Sequence, residues 1–292
     1  MSLLINTNSF KMTQKEALNQ GILIRSRFLD VVQKFAQEKK TDMYPHDFIF
    51  GYPGIGKTYE ITNILKNSGL HYVSINGNIS MYSFGIQLAV INYLNTNQEK
   101  IIIFCDDVDA LVSTEMSCNI LKSALHQPKT FNYEKSLQSQ WSNLTDLQKE
   151  AIQHHQVDGK MGFAVPTNTM SFIFVSNIQL PTDDDVRKAR EKSVAKASLL
   201  AHKNAIRSRC MVQDFKLNDD TFWGWIADVI LNTDCLSKYN ISDEDKLTIL
   251  DFIWDNWFNL TERSIRLVEK MSFIMLEYPE IYKSVWEIDF LK

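Results

Sequence analysis

The chain has 292 residues, of which 45% are hydrophobic and 23% are charged, and its formal net charge at pH 7 is −4. These values are typical of a globular protein with room for a large core and a second domain. The acidic balance argues against nucleic-acid binding by the surface as a whole, although it is compatible with a local basic patch.

No stretch of about 18 apolar residues occurs, so we expect no membrane span. The first residues lack the charged and apolar segments of a secretory signal. The four cysteines are scattered, without a C-x-x-C pair or a zinc spacing, and two of them lie in apolar runs where a free thiol behaves as a small hydrophobe. We therefore expect a protein of a reducing compartment, the cytoplasm.

The first predicted elements surround a glycine-rich loop. An amphipathic helix over residues 14–38 precedes a short strand over residues 47–50. Residues 51–58 then read G-Y-P-G-I-G-K-T, which matches the P-loop pattern G-x-x-x-x-G-K-[ST], and helical spacing follows over residues 59–66. A strand before the loop and a helix after it are the context in which this pattern binds phosphate, and they disfavour a glycine turn without a ligand.

The P-loop predicts a site for the phosphates of a nucleotide. Its glycines let consecutive backbone N–H groups turn inward and line an anion nest. The Lys57 ammonium, which we expect to face solvent, can reach the β- and γ-phosphates, and the Thr58 hydroxyl can ligate Mg²⁺ at a helix N-terminus. The predicted binding residues are Pro53, Gly54, Ile55, Gly56, Lys57, Thr58 and Tyr59.

Further strands and helices alternate up to about residue 215. Strand patterns occur over residues 71–76, 100–105, 171–176 and 210–215. The second and third of these runs are apolar throughout, as in strands buried on both faces of a parallel sheet. We therefore predict an α/β fold over residues 1–217, a parallel five-stranded sheet with helices on both faces.

Only helical patterns follow residue 218, so we predict a small all-helical domain over residues 218–292. Its helices are expected over residues 221–231, 243–258, 261–276 and 281–288. The tryptophans expected in its core are Trp223, Trp225, Trp254 and Trp257.

Two acidic residues follow the buried strand over residues 100–105. The carboxyl-terminal edge of a parallel sheet is where such folds bind ligands. Asp106 is predicted to hold Mg²⁺, and Asp107 is predicted to polarise the attacking water. Acidic residues after a strand also serve as helix N-caps, but a P-loop upstream favours the metal site.

These segments together resemble the AAA+ ATPases over residues 45–275. The sequences GYPGIGKT and CDDVDAL, and the strand that ends at Asn177, are similar to the Walker A, Walker B and sensor-1 elements of that family. The resemblance implies a five-stranded αβα domain with a helical lid, ATP and Mg²⁺ as ligands, and a ring or spiral of copies with ATP between them. It also implies that Asn177 orients the lytic water or senses the γ-phosphate.

Two arginine segments resemble family elements that contact phosphate. In Ser208-Arg209-Cys210, similar to the triplet of DNA clamp loaders, the arginine would reach a neighbouring copy's γ-phosphate. Arg209 is preferred to Arg207 because it lies at a helix–strand junction, although both belong to a basic stretch that can also be a solvated helix face. Residues 261–266 resemble the sensor-2 helix, with Arg266 as the phosphate contact unless it pairs with Glu262 or Glu269.

The sequence departs from the family pattern at Asp107 and over residues 129–168. Most relatives carry Glu at the first position, and the shorter Asp predicts slow hydrolysis or a switch-like use of ATP. The insertion is expected to contain a helix over residues 146–155, a turn at residues 158–159 and a strand over residues 161–165. We expect the adjacent His154 and His155 at the surface.

For the biological role of the predicted ATPase, the sequence supports two alternatives. The arginine triplet and the basic stretch favour a loader that acts on DNA in replication, with copies of the chain, DNA or a replication protein as partners. The acidic net charge and three aromatic residues that could contact a partner favour a protein-remodelling or switch-type ATPase instead. Those aromatic residues are Tyr82, Phe84 and Trp141, each of which can alternatively pack inside its own subunit.

Overall fold

The computed structural model describes residues 9–37, 46–126, 129–136, 139–157, 162–215 and 217–292. The chain divides into two compact units, which we describe separately. The sheet unit comprises Phe35–Gly51 and Leu65–Phe215, and the helical unit comprises Met1–Lys34, Tyr52–Ile64 and Lys216–Lys292. Residues 1–217, predicted as one domain, therefore contribute to both units.

Among the described residues of the sheet unit, seven strands are observed. They are β1 (Asp47–Gly51), β2 (Tyr72–Asn76), β3 (Ile101–Asp106), β4 (Thr130–Tyr133), β5 (Phe163–Pro166), β6 (Met170–Ser176) and β7 (Met211–Phe215). Five of them form one parallel sheet in the order β2-β3-β6-β1-β7. The predicted α/β fold with a five-stranded parallel sheet is confirmed, and its strands are those expected from the sequence.

The buried strands have the apolar composition that a covered sheet requires. Residues 102–105 of β3 are all buried, and so are the last five residues of β6. Their faces are packed by aromatic side chains from several elements. The fully buried phenylalanines of this unit are Phe48, Phe50, Phe84, Phe104, Phe131, Phe163, Phe172 and Phe174. Burial also raises the pKa of the Cys105 thiol well above its usual value, as expected for a cysteine that packs as a hydrophobe.

The helices that precede residue 208 belong to both units, and several of them begin at capping residues that the sequence contains. In chain order they are α1 (Gln14–Gln37), α2 (Lys57–Asn67), α3 (Met81–Leu94), α4 (Glu115–Leu125), α5 (Asp146–His154), α6 (Asp183–Arg190) and α7 (Val194–Arg207). Capping boxes start α4, α5 and α6 at Thr114, Thr145 and Thr182. In each, the threonine hydroxyl accepts a hydrogen bond from the backbone N–H of the third helical residue. The side chain of that third residue in turn accepts a hydrogen bond from the backbone N–H of the threonine.

The insertion folds as an antiparallel hairpin of β4 and β5 with α5 between them along the chain. Helix α5 packs against α3 in the same unit. The predicted helix over residues 146–155 and the last part of the predicted strand are observed, whereas the predicted turn at residues 158–159 lies outside the described residues. The insertion therefore completes the core of the sheet unit.

Packing in this region decides the placement of four side chains, and for the three aromatic ones it agrees with the alternative that they pack inside their own subunit. Phe84 is fully buried on α3, with its ring edge against Phe131, and cannot grip a partner. Trp141 packs against the core cluster, and Tyr82 is half-buried beside Tyr133. His155, expected at the surface, is only 7% exposed. The physical reason is common to all four: α3, α5 and the hairpin enclose one apolar cluster, which periodicity within each segment could not reveal.

The helical unit contains the four predicted C-terminal helices. They are α8 (Asp219–Asn232), α9 (Asp243–Asn256), α10 (Ile265–Glu277) and α11 (Tyr282–Phe290). Trp225 and Trp257 are fully buried and Trp223 nearly so, as expected, and Trp286 is a further buried anchor. Trp254 is half-buried and stacks on Phe10 with 3.6 Å between ring centroids. No described helix of the chain has the length and apolarity needed to cross a membrane.

Helix α1 crosses α8 at a pair of glycines. A Cβ added to Gly21 would lie 2.0 Å from the carbonyl carbon of Gly224, and one added to Gly224 would lie 1.9 Å from the Ala17 oxygen. Only glycine allows the backbones to approach so closely. The backbone N–H groups of Lys11 and Met12 also donate to the Asp220 carboxylate. Helix α1 and the two residues Lys11 and Met12 are therefore attached to α8 by packing and by hydrogen bonds.

Candidate functional site

The P-loop follows β1 directly in the chain and ends where α2 begins at Lys57. Gly54 and Gly56 have φ values of +74° and +85°, in the left-handed region that other residues rarely adopt. A Cβ added to Gly54 would lie 2.5 Å from the Cβ of Ser264. Both glycines are therefore required by backbone conformation, and Gly54 also by the close approach of the α10 N-cap.

Three carbonyl groups of the P-loop bind donors within the helical unit. The Ile265 N–H donates to Gly54 O at 2.9 Å, and Trp225 Nε1 donates to Ile55 O at 2.8 Å. Lys57 Nζ donates to Tyr52 O at 2.7 Å. Because C=O and N–H point in opposite directions across a trans peptide, the N–H groups of Ile55 and Gly56 face away from these donors. This arrangement has the geometry of an anion-binding nest.

Lys57 and Thr58 start helix α2. Lys57 is only 6% exposed, which corrects the expectation that it faces solvent; its ammonium turns back to the Tyr52 carbonyl. Thr58 is exposed at the second position of the helix. The loop N–H groups, the ammonium and the hydroxyl at a helix N-terminus together fit a magnesium-bound polyphosphate. Tyr59, the next residue, donates to Asp234 at 2.6 Å.

Arg266 lies in the first turn of α10, next to the residue that binds the P-loop. It is exposed, and its two alternative partners are occupied: Lys270 pairs with Glu262 and Lys238 pairs with Glu269. Within the described ranges no ion pair is formed by Arg266. Arg263, by contrast, bonds Asp219 and the Trp257 carbonyl. The first-turn arginine is therefore the one whose charge is available to an anion.

The predicted acidic residues lie at the carboxyl-terminal edge of the sheet. Asp106 is the last residue of β3, and Asp107 follows with φ +54°. Asn177, immediately after β6, donates from Nδ2 to Asp107 Oδ1 at 3.4 Å, a long contact between two exposed side chains. Asp109 accepts a hydrogen bond from Ser176, which ties the turn after β3 to the end of β6. The structure thus brings Asp107 and Asn177 together within the sheet unit.

The two candidate arginines of the junction have different partners. Arg207 donates to the Leu180 carbonyl at 3.2 Å. Arg209 donates from Nη1 to the Ala205 carbonyl and to Ser208 Oγ, while its buried Nε lacks a hydrogen-bond partner among the described residues. Arg209 precedes β7, so it lies at the amino-terminal edge of the sheet, opposite the edge with Asp106 and Asp107.

Sequence reasoning missed an ion triad beside the P-loop. Arg25 of α1 contacts Glu60 of α2 at 2.6 Å and Asp228 of α8 at 3.1 Å. The three side chains are 12%, 8% and 5% exposed, respectively. Glu60 lies in the first turn of α2, three residues after Lys57. The triad therefore fixes the start of the P-loop helix relative to two other helices of its unit. No local signal could have identified it, because its members are far apart in the sequence.

Comparisons with known proteins agree with this geometry. Residues 48–178 match the family described as ATPase family associated with various cellular activities (AAA). The match includes the P-loop, the acidic residues after β3 and the residue after β6. This part of the chain is therefore similar to the AAA family.

A relative has been found in Enterobacteria phage T4. It is described as an uncharacterized 36.7 kDa protein in the nrdC-mobD intergenic region, and it is 26% identical over 245 residues. The alignment covers 82% of this chain and 65% of the phage protein, so the chain spans less than two thirds of the length of that relative.

Proposed function

We propose that this chain is an ATPase that binds Mg-ATP at its P-loop, hydrolyses it at a site shared between copies, and thereby loads or remodels a macromolecular partner. The observation that carries the proposal is the P-loop geometry. Its carbonyl groups are engaged by Ile265, Trp225 and Lys57, so that two successive N–H groups face the other way. Such a nest at a helix N-terminus favours phosphate over other ligands.

Each site residue has a proposed role. Pro53 to Tyr59 would bind the phosphates, and Thr58 and Asp106 would hold Mg²⁺, which when bound neutralises charge on the phosphate oxygens. Asp107 would accept a proton from the attacking water, and Asn177, which contacts it, would orient that water. Arg266 would bind a phosphate oxygen through its exposed guanidinium.

The position of Arg209 supports a site shared between copies. Strand β7 is separated from β3 by β1 and β6, which is three strand spacings or roughly 14 Å. Arg209 also lies beyond the amino-terminal end of β7, whereas Asp106 and Asp107 are at the opposite edge. An arginine side chain cannot bridge this separation, so Arg209 would serve the nucleotide of a neighbouring copy, as arginine fingers do in phosphoryl transfer.

A loader acting on DNA in replication is the role we favour. The basic stretch of α6 and α7 and the Ser208-Arg209-Cys210 triplet support it. The alternative is a protein-remodelling or switch-type ATPase, and it was supported in part by aromatic residues that could contact a polypeptide. Phe84 is buried and Trp141 packs on the core, which removes most of that support.

Two experiments test the proposal. The first measures ATP hydrolysis without DNA, with single-stranded DNA and with duplex DNA; stimulation by either form supports the loader, and a rate indifferent to both supports the alternative. Lys57→Ala is the binding control and should lose ATP affinity. Micromolar ATP affinity retained by this variant would contradict the P-loop assignment.

The second experiment mixes two impaired variants. An Asp107→Asn copy keeps Arg209, and an Arg209→Ala copy keeps Asp107, so mixed assemblies contain some complete sites. Activity should recover on mixing, and wild-type specific activity should rise with protein concentration. No recovery, together with activity independent of concentration, would show that one copy contains a complete site.

A further inference from the structure

Basic side chains from two helices converge where α4 packs against α7 in the sheet unit. Lys122 Nζ lies 2.9 Å from His202 Nδ1, and because an ammonium only donates, the imidazole nitrogen accepts. Burial lowers the pKa of Lys122, and the second cause is the nearby charge of Arg209. Lys122 and Lys203 also act electrostatically on the same buried Cys118 thiol. Lys122, His202, Lys203 and Arg209 thus form one basic cluster.

This cluster has no acidic counterpart. In the parts of the chain that the structure describes, none of its four members pairs with a carboxylate. The acidic residue of α4, Glu115, is about two turns or roughly 10 Å along the helix from Lys122. Positive charges that lie close together without a neutralising group destabilise the fold. A cluster of this kind therefore points to an anionic ligand that would neutralise it.

The cluster is compact and half-buried rather than an extended basic track. Nucleic-acid backbones are bound along stripes of exposed Lys and Arg that follow successive phosphates. Two of the exposed cations of α6, Arg187 and Lys188, instead pair locally with Asp184. A compact ammonium beside a forked guanidinium suits several oxygens of one polyphosphate.

We propose that Lys122 and Arg209 together form a phosphate-binding patch that receives the triphosphate bound by a neighbouring copy, with His202 positioning the Lys122 ammonium. The inference rests on the proposed function and deepens it, since it adds a second cation to the shared site. Lys122 is thus a contact residue for phosphate oxygens, and His202 is a positioning residue that acts through it.

The test compares Lys122→Gln with Lys196→Gln, which removes the same charge from an exposed position of α7. Lys122→Gln should bind ATP at its own P-loop with wild-type affinity but turn over about 10- to 100-fold more slowly. Lys196→Gln should keep wild-type turnover, and Lys122→Arg, which keeps the charge, should recover most of it. Mixing Lys122→Gln with Asp107→Asn should restore activity, whereas mixing it with Arg209→Ala should not.

A second measurement separates this inference from the ATPase proposal. In the Lys57→Ala background, which lacks P-loop binding, inorganic tripolyphosphate should still bind at low salt, and adding Lys122→Gln should weaken that binding about tenfold. Unchanged tripolyphosphate affinity would overturn the patch even if the wild type proved inactive. Wild-type turnover of Lys122→Gln would also overturn it, as would loss of DNA affinity without loss of turnover, which would assign the cluster to nucleic acid.

Discussion

The amide nitrogen of Asn177 lies 3.4 Å from a carboxylate oxygen of Asp107, although 70 residues separate them in the chain. The contact follows from the sheet, since β3 and β6 are adjacent and parallel and their ends reach the same edge. Asp107 adopts φ +54°, a conformation in which Asp and Asn are enriched over other non-glycine residues. The left-handed backbone conformation therefore suits a short acid such as Asp at this position.

Asp107→Asn should bind ATP as tightly as the wild type and hydrolyse it at least 100-fold more slowly, because Asn keeps the left-handed conformation but cannot accept the proton of water. Equilibrium binding of ATP and single-turnover hydrolysis measure the two quantities separately. Unchanged turnover would show that another group activates the water.

Gly54→Ala should lose ATP affinity by at least tenfold, because the added Cβ would lie 2.5 Å from Ser264 and would displace the P-loop. Gly69→Ala is the matched control, since Gly69 has a similar φ of +68° and nothing within 4 Å of an added Cβ. Both variants should lose about 1 kcal/mol of stability from backbone strain. Calorimetric titration with ATP distinguishes them; equal affinities would show that the loop tolerates the displacement.

Arg25→Met should destabilise the chain by about 3–5 kcal/mol, because it leaves the buried carboxylates of Glu60 and Asp228 without their cation. Arg187→Met removes an ion pair whose side chains are 73% and 53% exposed, and should cost less than about 1 kcal/mol. Urea unfolding of the two variants gives the comparison. Similar losses would mean that the triad contributes no more than a surface pair.

Stability should fall as the pH drops from about 6.5 to about 4, in part through His155. Burial, and next the neighbouring His154, lower the pKa of His155 to about 4. Its folded pKa is below the unfolded value near 6.5, so in this window the unfolded chain binds the proton and the folded chain does not. The loss should be on the order of 3 kcal/mol at most, and complete below about pH 4.

His155→Gln should remove this part of the pH dependence, measured as the free energy of unfolding at several pH values between 4 and 7. His154→Gln changes an exposed residue and should retain most of it. If both variants and the wild type showed the same pH dependence, the loss of unfolding free energy at acidic pH would come from carboxylates rather than from His155.

Local sequence patterns were enough to predict those strands, turns and helices that depend on a short segment of the chain. The apolar runs of β3 and β6 predicted buried parallel strands, and the G-x-x-x-x-G-K-T pattern located the turn between β1 and α2. The four C-terminal helices were predicted to within a few residues because their apolar periodicity and N-cap residues are local. Trp223, Trp225 and Trp257 were correctly expected in the core for the same reason.

Contacts between segments that are far apart in the sequence could not be predicted from local patterns. The roles of Phe84 and His155 depended on how α3, α5 and the hairpin enclose one cluster, and the burial of Lys57 depended on its bond to the Tyr52 carbonyl. The Arg25–Glu60–Asp228 triad joins residues up to 203 positions apart.

What the sequence determined by itself was the kind of fold and the chemistry its side chains can perform, because periodicity, capping and the P-loop pattern act over a few residues. What only the tertiary structure decided was which charges are neutralised and which are left for a ligand. Glu60 is neutralised by Arg25, whereas Lys122 and Arg209 form no ion pair with any carboxylate of the described residues. The reason is that electrostatic pairing depends on distance in space, and folding sets that distance independently of separation along the chain.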